Sequence, residues 1–139
     1  MPTVVRSFID TNLLVHVDAG DEKKKQRRAI ERVRQLRSDG SGVLSTQVLQ
    51  EYVNVALKKL RITAEQIRSR LAVYERFEVV PSSPQGIRSA LDLTVLHKLS
   101  FYDALIVEAA ARAVCTELLS ESMQAGAIIS GVRIVNPFA

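Results

Sequence analysis

The chain has 139 residues, 47% of them hydrophobic, and a formal net charge of +4. This length suits one domain, here residues 1–139, and no apolar run approaches the ~20 residues that a membrane-spanning helix needs. The single cysteine, Cys115, excludes an internal disulfide, and two histidines are too few for a zinc site of the Cys/His type. We therefore expect a single-domain cytoplasmic protein that has no membrane partner.

Short β-type runs alternate with longer helical patterns along the chain, which predicts βα units around a parallel sheet. The predicted strands lie at about 3–9, 42–45, 77–80, 116–120 and 132–135. The predicted helices lie at about 12–18, 21–38, 46–60, 63–75, 84–98 and 102–114. In the fifth helix, Ser83 is expected to be the N-cap and Pro84 the first helical residue.

Asp10 follows the first predicted strand directly and is the first candidate functional residue. Ligands of open parallel sheets bind beyond the carboxyl ends of the strands, so a carboxylate at this position can hold a cation. Asp10 and Asn12 are also residue types that cap helices by accepting bonds from free N–H groups. At this point of the chain both interpretations stay open.

The second predicted helix is strongly basic: residues 23–37 hold eight Lys and Arg side chains and one acid, Glu31. Its apolar stripe is narrow and consists of Ile30, Val33 and Leu36. Such a charge run is either a solvated face or a patch that faces phosphates. The residues expected to contact nucleic acid are Lys23, Lys24, Lys25, Arg27 and Arg28.

Three further acids fall at the same edge of the predicted sheet as Asp10. Glu51 lies near the start of the third helix, Asp103 opens the last helix, and Glu121 follows the fourth strand. Two of them have simpler interpretations that need no ligand. Glu51 could be an exposed residue paired with Lys58, and Ser-x-x-Asp before an apolar run resembles a capping box.

The convergence of these four carboxylates has an electrostatic consequence. Gathered carboxylates repel one another, so one would protonate unless cations neutralise the group. Hard oxygen ligands suit Mg²⁺ or Mn²⁺. Such ions activate water and stabilise the leaving oxygen of a phosphodiester. The pattern therefore predicts a divalent-metal site with hydrolytic chemistry.

Five blocks of the sequence resemble PIN-domain ribonucleases, specifically the toxin half of bacterial VapBC toxin–antitoxin pairs. They are residues 8–12, 45–51, 100–106, 118–121 and 131–138. The resemblance covers essentially the whole chain. It implies a three-layer α/β/α sandwich around a mainly parallel sheet of about five strands, and endonucleolytic RNA cleavage that depends on Mg²⁺ or Mn²⁺. It also implies a homodimer and inhibition by a cognate antitoxin.

Carried over residue by residue, the resemblance assigns Asp10, Glu51 and Asp103 as the catalytic and metal-binding acids. Asn12 and Thr46 match accessory polar positions near the metal. These assignments are what the resemblance implies for this sequence.

The fourth acid of the family pattern is missing. Related chains read Ser-Glu-Asp where this one reads Ser120-Glu121-Ser122, so a serine stands in the aspartate's place. A hydroxyl holds a water but brings no charge. Glu121 would point to the opposite face in an extended segment, although in a turn its longer side chain can reach. We expect both Glu121 and Ser122 to be accessory residues.

The leading hypothesis is a metal-dependent endoribonuclease that acts as a toxin. The alternative is a catalytically weakened or inactive PIN-fold module that binds RNA or its antitoxin, because residue 122 is a serine. A third interpretation is a phosphatase of the haloacid-dehalogenase kind with Asp10 as nucleophile. That family has a second aspartate two positions on, where this chain has Asn12.

Overall fold

The structure is a computed structural model that describes residues 5–139, so the start of the first predicted strand lies outside the described residues. The strands are β1 (Ser7–Ile9), β2 (Gly42–Ser45), β3 (Glu78–Val80), β4 (Glu117–Leu119), β5 (Ile128–Ile129) and β6 (Val132–Val135). The α-helices are α1 (Thr11–Asp18), α2 (Lys23–Asp39), α3 (Thr46–Val55), α4 (Ala64–Tyr74), α5 (Pro84–His97) and α6 (Phe101–Arg112). A π-helical turn, Ala56–Leu60, continues α3.

The described strands form one sheet in the order β3-β2-β1-β4-β6-β5. All neighbouring pairs are parallel except β5 and β6, which are antiparallel. The chain moves outward from β1 through β2 to β3, and then returns to place β4 on the other side of β1. The crevice beyond the carboxyl ends of β1 and β4 is therefore the switch point at which open α/β sheets bind ligands.

Helices cover both faces of this sheet. Right-handed crossovers place the helices between β1 and β3 on one face and those between β3 and β4 on the other. In agreement, α1 packs against α2 and α3, whereas α6 packs against β2, β4 and β6 and carries α5 on its outer side. The predicted three-layer α/β/α sandwich is confirmed.

The two central strands are buried on both faces, which explains their uninterrupted apolar sequence. Phe8 and Ile9 of β1 and Leu118 and Leu119 of β4 are all within 1% of complete burial. No helix in the described part of the chain combines the length and apolarity that crossing a membrane requires.

Local structure departs from the sequence prediction in two places. The strand β5 was not predicted, because two residues are too few to show an alternating pattern. It joins β6 through Ser130 and Gly131, both with positive φ, as a tight hairpin requires. The predicted helix at 46–60 loses its α-helical register at Ala56 and ends at Arg61, whose φ is also positive.

Candidate functional site

Asp10 lies at the carboxyl end of β1, and its side chain is only 7% exposed. One carboxylate oxygen, Oδ1, accepts a 2.8 Å hydrogen bond from the backbone N–H of Thr11, so Asp10 does cap α1. The other, Oδ2, accepts a 2.8 Å bond from the hydroxyl of Ser120. A carboxylate has about four lone-pair sites, so these two bonds leave room for a cation.

The charge on Asp10 is unfavourable in this environment. Burial raises its pKa from 3.8 to about 6, against the opposing effect of the hydrogen bonds from Ser120 and Thr11. The charges of Glu51 and Asp103 raise the pKa further. Glu51 and Asp103 thus each lie close enough to Asp10 to disfavour its charge.

A divalent cation fits this donor set. Among residues 5–139, no ion pair includes Asp10, Glu51 or Asp103. In that range no group of three or more Asp, Glu, His or Cys side chains is arranged so that it could hold a metal ion, so the fit rests on the chemistry of the donors. A buried charge without a partner costs free energy that a bound cation would remove. Oxygen donors of this kind suit Mg²⁺ or Mn²⁺.

Glu51 is half-buried on α3 and is held by its own helix. The side-chain amide of Gln47 donates a 2.9 Å bond to Glu51 Oε1 and a 3.3 Å bond to the backbone carbonyl of Tyr102. Lys58 does not pair with Glu51 in the described structure and is exposed. The ion-pair interpretation of Glu51 is therefore wrong.

Asp103 lies in the first turn of α6. Its backbone N–H donates a 3.2 Å bond to Ser100 Oγ, so Ser100 is the N-cap, but no reciprocal bond to the carboxylate completes a capping box. No described group donates to the Asp103 carboxylate. It lines a cleft of about 410 Å³ together with Ser122 and Lys98. Asp103 and Ser122, the position of the missing acid, therefore line the same cleft.

The accessory positions lie on the helices that follow β1 and β2. Asn12 is half-buried in the first turn of α1, two residues after Asp10. The Thr46 hydroxyl donates to the carbonyl of Val80 at 3.5 Å, while Ser45 caps α3 by accepting from Val48 N–H. In this geometry the Thr46 hydroxyl is directed to the neighbouring strand.

Ser120 is the residue that sequence reasoning missed. It is 1% exposed and links β4 to Asp10 through the bond described above. Its Oγ lies 3.4 Å from Ser122 Oγ, and it also accepts from the N–H of Met123. Its position after β4, beside the strand that carries Asp10, was the available signal.

Glu121 is directed away from these acids. Its carboxylate pairs with Lys25 and lies 3.0 Å from His16 Nε2. Burial would raise its pKa, but the hydrogen bonds from Lys25 and His16 outweigh burial and hold it below the ordinary value. Phe138 covers the cluster, with its ring 4.8 Å from the His16 ring and 5.5 Å from Lys25 Nζ. Glu121 thus anchors the start of α2 to the end of β4.

The basic residues of α2 divide into two groups. Lys23, Lys24 and Arg27 are exposed, and none of them forms an ion pair within the described residues. Lys25 is engaged by Glu121, and Arg28 donates to the carbonyl of Phe138 at 3.3 Å. The exposed group is the part of the predicted patch that stays available to phosphates.

Comparisons with known proteins support the resemblance. The family model of the PIN domain matches residues 7–121. A sequence comparison with curated proteins gives no match.

Solved structures of toxins and toxin–antitoxin complexes share the fold. A toxin–antitoxin complex from Klebsiella pneumoniae matches with a TM-score of 0.70 at 22% identity, over 94% of this chain and 97% of that one. DNA-bound VapBC from Salmonella typhimurium matches with a TM-score of 0.67 at 19% identity, over 94% of this chain and 97% of that one. VapC20 of Mycobacterium tuberculosis, a toxin that cleaves the sarcin–ricin loop, matches with a TM-score of 0.64 at 15% identity. The match covers 84% of this chain and 91% of that one.

The raised pKa of Asp10 yields a stability prediction. Because its folded-state pKa of about 6 exceeds the ordinary 3.8, its contribution to stability is fully present below about pH 3.8 and is lost as pH rises through about 6. Asp10→Asn keeps the cap acceptor and removes the charge. In EDTA near pH 8, we expect this variant to be more stable by about 1–3 kcal/mol in denaturant unfolding.

The same measurement near pH 4 provides the control, because there the native carboxyl is largely protonated and the gain should nearly vanish. An equal effect of Asp10→Asn at both pH values would show that the charge on Asp10 is not the cause.

Proposed function

Because the chain belongs to the PIN domain family, we propose that it is a metal-dependent endoribonuclease acting as the toxin of a toxin–antitoxin pair. The observation that carries this proposal is the buried Asp10, bonded to Ser120 at the switch point of the sheet and repelled by Glu51 and Asp103. The toxin and toxin–antitoxin structures that share the fold support it. Its place of action is the cytoplasm, where cellular RNA is available.

Asp10, Asp103 and Glu51 are the residues that would hold Mg²⁺ or Mn²⁺. When bound, such an ion supplies an activated water and offsets negative charge at the leaving oxygen of a phosphodiester. The chain's own groups orient the acids: Ser120 fixes one oxygen of Asp10, and Gln47 fixes one oxygen of Glu51.

Ser122 decides how strong the activity is. Its exposed hydroxyl lines the same cleft as Asp103 and brings no charge to it. A catalytically weakened or inactive module that binds RNA or antitoxin is therefore the second candidate function. Residue 122 distinguishes the two, because an aspartate there would add the missing carboxylate.

We expect the purified, antitoxin-free chain to cleave total cellular RNA with Mn²⁺ or Mg²⁺ and to be inactive in EDTA. Asp10→Asn should lower the rate by about 100-fold or more, since the metal contributes several kcal/mol to the transition state. Asp39→Asn, which removes an exposed carboxylate from the end of α2, is the matched control and should cleave normally. Ser122→Asp should cleave faster than the natural chain.

Two results would change the assignment. Cleavage by Ser122→Asp alone would show that the serine has switched the enzyme off. RNA binding without turnover in every variant and with every ion would select the binding module.

The exposed basic residues at the start of α2 are proposed to contact RNA phosphates. Binding to RNA should then weaken linearly in log salt, with a slope of roughly 0.7 per phosphate contact on a single strand. The double change Lys23→Gln and Lys24→Gln should reduce that slope by about 1–1.5. The matched control removes the same charge from the other end of α2, through Arg34→Gln and Arg37→Gln, and should leave the slope unchanged. If the two double variants have equal slopes, the start of α2 faces solvent or a protein instead of RNA.

We also propose that the chain forms a homodimer, in addition to a complex with a cognate antitoxin. The outer side of α5 exposes Leu91, Val95 and Leu96, the latter two to about three quarters of their surface. Arg88 and Asp92 lie one turn apart beside them. In a two-fold antiparallel contact of α5 with its copy, each Arg88 would therefore face Asp92 of the partner subunit.

Light scattering tests the homodimer. Val95→Asp should give a monomer, because it places a charge in the apolar contact. Val114→Asp changes an equally exposed valine beyond the end of α6 and should leave the mass unchanged. The outer side of α5 is not the dimer contact if the natural chain is a monomer, or if Val95→Asp and Val114→Asp have equal masses.

A further inference from the structure

A second cavity adjoins the candidate acids on the side of α3, α5 and α6. Its volume is about 210 Å³. Ser45 and Val80, which end β2 and β3, line its inner part, so it opens at the same sheet edge as Asp10. Phe101 and Tyr102, the first residues of α6, stand at its rim.

The cavity is connected to the acids by one side chain. Gln47 lines it and donates both to Glu51 Oε1 and to the backbone carbonyl of Tyr102. Tyr102 also directly precedes Asp103. A group seated in the cavity would therefore lie next to Glu51, one of the acids that would hold the metal.

The rim has the chemistry of a stacking platform. The Tyr102 side chain is 65% exposed, and its ring centroid lies 5.7 Å from that of Phe101 at an angle of 62°. Proteins that bind single-stranded RNA stack unpaired bases on such exposed aromatic rings and hydrogen-bond the edges of the bases. Gln47 Oε1 accepts no bond from any described residue, which leaves it available to a base edge.

The charges of the cavity favour a neutral ligand. Its one guanidinium, on Arg112, is bonded to both carboxylate oxygens of Glu108 and to the carbonyl of Pro81. No cation in the described lining is therefore free to hold a phosphate. A flat, uncharged ring with polar edges fits this combination.

We propose that this cavity is a nucleobase subsite, which takes the base of a nucleotide beside the scissile phosphate. The base stacks on Tyr102, with Phe101 at its edge, and Gln47 contacts its polar rim. The subsite rests on the proposed ribonuclease function and adds a determinant of where the RNA is cut. Tyr102 is its principal contact residue.

The test measures binding without turnover, in the Asp10→Asn background with Mg²⁺ present. The probe is a short unstructured oligoribonucleotide in which one position at a time is made abasic, and binding is followed by fluorescence anisotropy. We expect one abasic position to weaken binding about 10- to 100-fold, as the loss of one stacked base does. Tyr102→Ala should weaken binding of the intact probe by the same factor. Binding by this variant should then not depend on whether that position carries a base.

Two matched variants separate stacking from other effects. Tyr102→Phe keeps the ring and should bind like the background protein. Val114→Ala truncates an exposed side chain beyond the other end of α6 and should change nothing. In chains with native Asp10, Tyr102→Ala should also broaden the base preference beside the cut.

Each outcome separates this proposal from the ribonuclease function. The subsite alone is overturned if Tyr102→Ala leaves cleavage unchanged and if abasic positions affect binding equally in that variant and in the background protein. Tyr102-dependent, position-dependent binding without any cleavage supports the subsite while rejecting the enzyme. A change of oligomeric mass in Tyr102→Ala, with an unchanged abasic profile, would show that a protein covers the cavity and would overturn the proposal.

Discussion

The hydrogen bond between Ser120 and Asp10 is the contact on which the candidate site depends. It joins the ends of the two strands that flank the switch point, across 110 residues of sequence. The bond fixes one oxygen of a carboxylate that the sheet has already buried. Without it, the Asp10 carboxylate would be held only through its other oxygen, by the backbone N–H of Thr11. The topology thus buries the carboxylate, and Ser120 and Thr11 together orient it.

The sequence predicted the fold well because the signals of the fold are local. Apolar runs without interruption predicted buried parallel strands, and Ser83 with Pro84 marked the start of α5, where the structure has both residues in those roles. The short strand β5 and the π-helical turn escaped prediction because neither has a periodicity of its own. Their geometry depends on neighbours that are distant in sequence.

The candidate site was only partly predictable, for a related reason. Asp10 and Asp103 were candidates because one follows a strand and the other lies in the first turn of a helix, and Glu51 was a candidate because it lies in the helix after β2. The hydrogen-bond and ion-pair partners of Glu121 and of the basic residues on α2 could not be found from the sequence. The Glu121 carboxylate binds Lys25 and His16 instead of facing a metal, because α2 and Phe138 pack against the end of β4. The basic run likewise looks uniform in sequence, yet it separates into anchored and exposed residues once its helix is placed.

The parallel pairing of β1 with β4 also fixes the order in which the site can form during synthesis. Asp10 is synthesised before β4, so its strand stays without its β4 neighbour until about residue 120 has been made. Contacts this distant in sequence form late, since the chain between them must first be ordered. A ribosome therefore carries only an incomplete site for most of translation. Asp10 gains its bond to Ser120 only after β4 has joined the sheet.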